Sequence, residues 1–310
     1  MSETSKPEPV IQFSQRRLGL ITVLFAVILW AVAANLISSL FAAGVKPFEL
    51  AVSSMTIATF GLAVVNSFML KPEAKAMSWQ QFILGLLFTG LTGVNYLAIA
   101  RLPVAVAILL LFTSPLMVVL WTALTTRHMP TRSVLAAMLL LIVGVVLVSK
   151  VLESNLSEFN GFGILVGLSS AVFFTAYTLQ SERVGRSDEA LGVMLKTFAI
   201  GSLFWLAYQV TQGVPVTLLE PENVWKVIYI GIAGNLLPYS LFFWGIQRIQ
   251  AERAVIIATL EPVIASTLAW LWFGQTLTSL QLIGSILIII SVTVLQMINT
   301  SSQSRVLLHK

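Results

Sequence analysis

Two ionisable side chains sit deep inside long apolar stretches of this 310-residue chain: Lys196 and Glu261. Burying either charge at the centre of a lipid-embedded helix costs about 2.5–3.5 kcal/mol on insertion scales, so such groups usually face a cavity or a partner. Counting about 1.5 Å per helical residue from the nearest loop, both lie about 10–12 Å in from the same side. Glu261 could bind a proton or the cationic group of a solute, with Lys196 as its countercharge or as a ligand for a carboxylate. The plainer reading is that Lys196 snorkels to the interface and Glu261 caps a bent helix. Uncharged polar and aromatic groups in the same stretches complete the candidate set: Trp30, Asn35, Tyr96, Tyr177, Asn235 and Tyr239. Helix–helix hydrogen bonding is the competing role for the asparagines. Pro115 and Pro262 each remove an intrahelical hydrogen bond and clash with the preceding turn, so both helices should kink. Pro238 adds a third interruption.

The stretches that carry these residues dominate the composition. Hydrophobic residues make up 57% of the chain and charged residues 10%, with a mean hydropathy of +0.91. So little charge cannot cover a water-facing surface, and in lipid the backbone must satisfy itself within helices or a closed barrel. The apolar runs are continuous and about 20 residues long, as membrane-crossing helices require. Ten spans are expected, at 18–43, 48–70, 79–100, 103–125, 133–150, 161–181, 190–210, 225–247, 253–273 and 279–298. The apolar run after Arg16-Arg17 is too long for a signal-peptide core, which reads as an uncleaved anchor. With both termini inside, thirteen of the eighteen Lys and Arg residues fall on the cytoplasmic side and four on the outer side. Basic residues concentrate on the cytoplasmic face, which fixes that orientation.

A shift of 147 places Arg101 on Arg248, Ala107 on Ala254 and Pro115 on Pro262. The expected organisation is a cytoplasmic tail over 1–17, a first five-helix repeat over 18–150, a second over 151–298, and a cytoplasmic tail over 299–310. Two like halves with an odd number of crossings must lie in opposite orientations. Inverted repeats with a midplane binding site are a recurrent build of secondary transporters. The expected fold is therefore an all-α membrane protein with ten transmembrane helices arranged as two inverted five-helix repeats.

The run Leu260-Glu261-Pro262-Val263, then Trp270-Leu271-Trp272-Phe273-Gly274, Leu277-Thr278 and Gln281-Leu282-Ile283-Gly284 resembles the second repeat of EamA-type carriers, in the drug/metabolite transporter superfamily. Thr113-Ser114-Pro115 carries the matching signal in the first half. The chain departs from the family pattern at Gly274-Gln275, where Gly-Glu is usual. The resemblance implies a central cavity lined mainly by spans 1, 3, 4, 6, 8 and 9, and export of amino acids or related small metabolites. Uptake of a metabolite, broad drug export or, further off, a channel are the alternatives.

Several classes are excluded. The scattered basic residues argue against nucleic-acid binding. No Gly-rich phosphate loop is present, so the chain does not hydrolyse ATP itself. Cysteine is absent, and His128, His309 and Asp188 lie in separate loops. No metal or cofactor is expected, and no acid–base pair within the membrane points to an enzyme. The expected partners are a small-molecule substrate and the lipid bilayer of a plasma or bacterial inner membrane. Proton coupling through Glu261 is open, and no oligomer is required to enclose a cavity.

Overall fold

The computed structural model describes residues 9–68, 76–127, 129–149, 151–153, 161–184, 190–273 and 277–308. Among these there are helices and no strands. In the first half they are α1 (Pro9–Ala42), α2 (Pro47–Phe68), α3 (Trp79–Arg101), α4 (Val104–Leu111), α5 (Ser114–Thr126) and α6 (Arg132–Val148). The second half holds α7 (Gly161–Arg183), α8 (Ala190–Val210), α9 (Pro221–Tyr229), a π-helical segment (Ile230–Leu236), α10 (Leu237–Ile249), α11 (Ala251–Ala258), α12 (Glu261–Phe273) and α13 (Ser279–Leu308). Gly274-Gln275, the departure from the family pattern, lies outside the described residues, as do His128, Asp188 and His309.

Local chemistry sets the boundaries. Ser78 opens α3 with a capping box, its hydroxyl accepting from Gln81 N at 3.2 Å while Gln81 Oε1 accepts from Ser78 N at 3.2 Å. Thr278 and Gln281 repeat the device at the start of α13. Such reciprocal bonds satisfy orphan donors at a helix start. Gly44, at φ 91°, turns the chain out of α1 in the left-handed region that glycine adopts at little cost. Helix α1 begins at Pro9, inside the segment expected as tail, and α13 runs on to Leu308 past the expected end at 298. No breaker interrupts either sequence, and proline is tolerated in a first helical turn.

Eight helices among the described residues are long and apolar enough to cross a membrane. Two of the ten expected crossings fall short of that length. Helix α6 has 17 residues, and the stretch expected as one span over 253–273 is divided into α11 and α12, of 8 and 13 residues. The stretches over 103–125 and 225–247 are also interrupted, the first between α4 and α5 and the second by the π-helical segment. A proline follows each interruption within a few residues, at Pro115, Pro238 and Pro262. Each lacks the N–H that the carbonyl four residues earlier would accept in an α-helix.

Helices pack in corresponding pairs. α3 lies on α7 and α10 on α1; α3 also meets α8, and the π segment meets α2; α4 and α5 meet α7, and α11 and α12 meet α1. The remaining principal pairs are α2 with α8 and α6 with α13. Exchanging the halves maps this set of pairings onto itself. Glycines bring α6 and α13 into backbone contact, since a Cβ on Gly144 would stand 2.9 Å from Gly284 O and one on Gly284 2.7 Å from Gly144 O. Gly163 and Gly167 let α7 close on the side chains of Leu102 and Leu110. The interior is filled by Phe88, Tyr177, Phe198 and Phe242, while Phe60, Leu139 and Leu203 are exposed on the outside. Large apolar groups pointing outward suit a lipid surround.

Candidate functional site

A cavity with an empty volume of about 700 Å³, its mouth included, lies between the halves. Trp30, Ala33, Ala34 and Ile37 of α1 form one wall, and Leu91, Thr92, Asn95, Tyr96 and Ile99 of α3 form another. Ile108, Leu111 and Phe112 come from the α4–α5 break, Phe174 from α7, Gly234, Asn235 and Tyr239 from the π segment and α10, and Ala258 and Glu261 from the α11–α12 break. These six stretches are the spans that the resemblance implies. The α1 stripe follows helical geometry, since positions 30, 33, 34 and 37 fall on one face.

The breaks build the wall. Pro115, Pro238 and Pro262 have no N–H for the carbonyls of Leu111, Gly234 and Ala258, and all three of those residues line the cavity. At a shift of 147 the α4–α5 and α11–α12 breaks coincide, so that Ser114 and Glu261 both begin the second helix of their pair.

Five of the eight predicted binding or coupling residues meet here: Trp30, Tyr96, Asn235, Tyr239 and Glu261. Glu261 is 8% exposed, and among the described residues its carboxyl group has no ion-pair or hydrogen-bond partner. Asn235 Nδ2 donates to Tyr96 Oη at 3.0 Å and lies 3.4 Å from Ile230 O, in the π turns that position it. Tyr96 Oη shares a hydrogen bond of 3.4 Å with Ser54 Oγ. The Trp30 ring sits 4.9 Å from Tyr239 and 5.2 Å from Phe242, and its buried Nε1 has no partner among the described residues.

Three predicted residues lie elsewhere. Asn35 is exposed, off the α1 stripe, and donates to Ala31 O of its own helix at 3.3 Å. Tyr177 is fully buried one layer behind the wall, 5.5 Å from Phe88 and 5.8 Å from Tyr239 between ring centres. Lys196 donates to Gln81 Oε1 at 3.1 Å, at the start of α3. Its countercharge role toward Glu261 finds no contact in this structure. Equal depth along two helices says nothing of their separation across the bundle.

The lining residues of α1 and α3 come from the C-terminal halves of those helices, so the cavity occupies one half of the bundle. The other half is filled. Phe88, Tyr177, Phe198, Tyr239 and Phe242 pack ring against ring, with Phe88 4.6 Å from Tyr239 and 5.0 Å from Phe198. Beyond them three consecutive residues at the end of α7 tie it to three other helices. Gln180 Nε2 donates to Gln80 O at 3.0 Å, Ser181 O accepts from Gln247 Nε2, and Glu182 Oε2 accepts from Ala251 N at 3.2 Å.

Residues missed from the sequence were Leu111 and Ala258, and the signal for them was available: each stands four positions before a mid-span proline. Thr92, Ile108 and Phe112 carried no distinguishing signal within apolar sequence.

Residues 17–150 and 161–297 each match the EamA-like transporter family. The chain belongs to that family. Relatives include an uncharacterised transporter of Archaeoglobus fulgidus, 29% identical over 76% of this chain and 82% of its own. An uncharacterised inner membrane transporter of Salmonella typhimurium, YicL, is 26% identical over 91% of this chain and 96% of its own. The threonine/homoserine exporter RhtA of Escherichia coli is 28% identical over 81% of this chain and 82% of its own. A solved crystal structure superposes with a TM-score of 0.73 at 20% identity, covering 90% of this chain and 97% of that one, which shows the shared fold. This EamA-like transporter is thus a multi-pass protein of the cell membrane, and the family and its relatives are transporters rather than enzymes.

Proposed function

We propose that the protein is a secondary carrier that exports a small amine-bearing metabolite, an amino acid or a relative of one, by alternating access. Ten crossings form two inverted five-helix halves with both termini in the cytoplasm. The observation that carries this reading is Glu261: a single carboxyl, 8% exposed and without a protein partner among the described residues, in a cavity between the halves. An unpaired buried carboxylate is costly, and a proton or the ammonium of a solute would relieve that cost. Inversion is supported by the coincidence of the two breaks at a shift of 147 and by pairings that survive exchange of the halves. Cytoplasmic termini rest on the distribution of Lys and Arg. On that orientation the cavity lies in the outer half and the aromatic layer closes the inner one. Export draws on RhtA, a threonine/homoserine exporter.

The test is purified protein in liposomes loaded with unlabelled amino acid, with labelled solute outside, at equal pH and across a pH gradient. Saturable counterflow is expected, and a rate that an imposed gradient alters in the parent but not in Glu261→Gln would mark Glu261 as the proton site. Solute movement linear in concentration, or ionic conductance without counterflow, would replace the carrier by a pore.

A further inference from the structure

The polar groups of the cavity are unbalanced in sign. Among the described residues its lining holds one carboxyl, Glu261, and no lysine, arginine or histidine. Leu111 and Ala258 line the same cavity, and Pro115 and Pro262 supply no donor to their carbonyls. Asn235 Nδ2 is directed to Tyr96 and Ile230. Lys196 reaches Gln81, in the filled half. The neutral donors of lining residues with no hydrogen-bond partner among the described residues are the Asn95 amide, the Tyr239 hydroxyl and the buried indole of Trp30, and none of them carries a charge. The rings of Trp30, Phe112, Phe174 and Tyr239 line the same cavity as the carboxyl, and an aromatic face attracts a cation that has left water.

We infer that the cavity selects organic monocations, amines or quaternary ammonium ions with a flat apolar body, over zwitterionic amino acids. A cation meets the carboxylate of Glu261, the freed carbonyls and the ring faces together. A zwitterion gains the same contacts for its ammonium but brings a carboxylate that must leave water without a countercharge. A negative group set beside Glu261 is also repelled in a medium of low dielectric constant. This selectivity rests on the carrier reading above and narrows its substrate from amine-bearing metabolites to those of net positive charge.

The test uses full-length protein in liposomes with three labelled probes of one shape: benzyltrimethylammonium, phenylalanine and 3-phenylpropionate. The expected result is saturable counterflow of benzyltrimethylammonium with kcat/KM at least tenfold above that of phenylalanine, and none of 3-phenylpropionate. Glu261→Gln should lower the benzyltrimethylammonium value at least tenfold and erase its advantage, while Glu261→Asp restores part of it. Equilibrium binding of the same probes to detergent-solubilised Glu261→Gln, eluting as a single species, separates lost recognition from lost folding. Phenylalanine carried as fast as the cation, or a cation advantage that persists in Glu261→Gln, overturns the selectivity and leaves the carrier standing. Neither flux nor binding of any probe overturns both.

Discussion

Glu261 begins α12, where the N-terminal end of a helix favours negative charge, and the equivalent position in the first half is occupied by Ser114. The two halves therefore share a backbone device but differ in chemistry. A second residue-scale consequence concerns Tyr96. Tyr96→Phe removes the phenol oxygen that accepts from Asn235 and leaves a buried amide short of a partner. Such a loss costs about 1–3 kcal/mol, visible as a lower thermal midpoint in detergent. Adding Asn235→Leu should cost less than the sum of the single changes, because the stranded group goes with it. Trp30, Tyr96, Asn235, Tyr239 and Glu261 were legible in the sequence because polar or amphipathic side chains are rare in these stretches. Asn35 misled for a geometric reason, one step of about 100° beyond Ala34 turning it off the stripe. Whether Lys196 meets Glu261 was not legible, because depth along a helix does not give the distance to a helix elsewhere in the bundle.

At the scale of elements, the long apolar runs marked the helices, and proline spacing marked where they would bend. Two features were not legible. The chain separates into distinct helices at 112–113 and 259–260, ahead of Pro115 and Pro262, because the missing donor and the ring clash act on the turn before the proline. The π turns before Pro238 change the register by less than composition can reveal. Pro115→Ala and Pro262→Ala restore a donor to the carbonyls of Leu111 and Ala258. We expect either change to keep or raise thermal stability while lowering flux several-fold, read by paired melting and counterflow measurements. The tie at the end of α7 makes another prediction. Gln247→Ala combined with Glu182→Ala removes two of its three links, so the filled half should open more often. In this cysteine-free chain, a single Thr178→Cys reporter, fully buried in the parent, should then react several-fold faster with a water-soluble maleimide. An unchanged rate would mean the tie does not hold that end closed.

For the whole molecule, the distribution of Lys and Arg predicts which side each loop faces. Lys46→Cys should be labelled on intact cells by an impermeant maleimide, whereas Arg132→Cys should be labelled only after permeabilisation. The reverse pattern would invert the bundle and place the cavity in the cytoplasmic half. The all-helical fold class and the two family matches were legible because apolar run length and a proline repeated at a shift of 147 are properties of the string itself. How the halves face one another was not, since it depends on side-chain fit across helices far apart in sequence.

The glycine contact between α6 and α13 has a practical consequence. Neither helix supplies a residue to the cavity wall, and each has the other as its principal neighbour. On the alternating-access proposal they form a keel beside the parts that move, held where Gly144 and Gly284 leave no room for a methyl group. A covalent staple across this pair, or a probe attached to its outer surface, should leave turnover intact. That gives a stationary reference point from which the displacement of every other helix could be measured during a transport cycle.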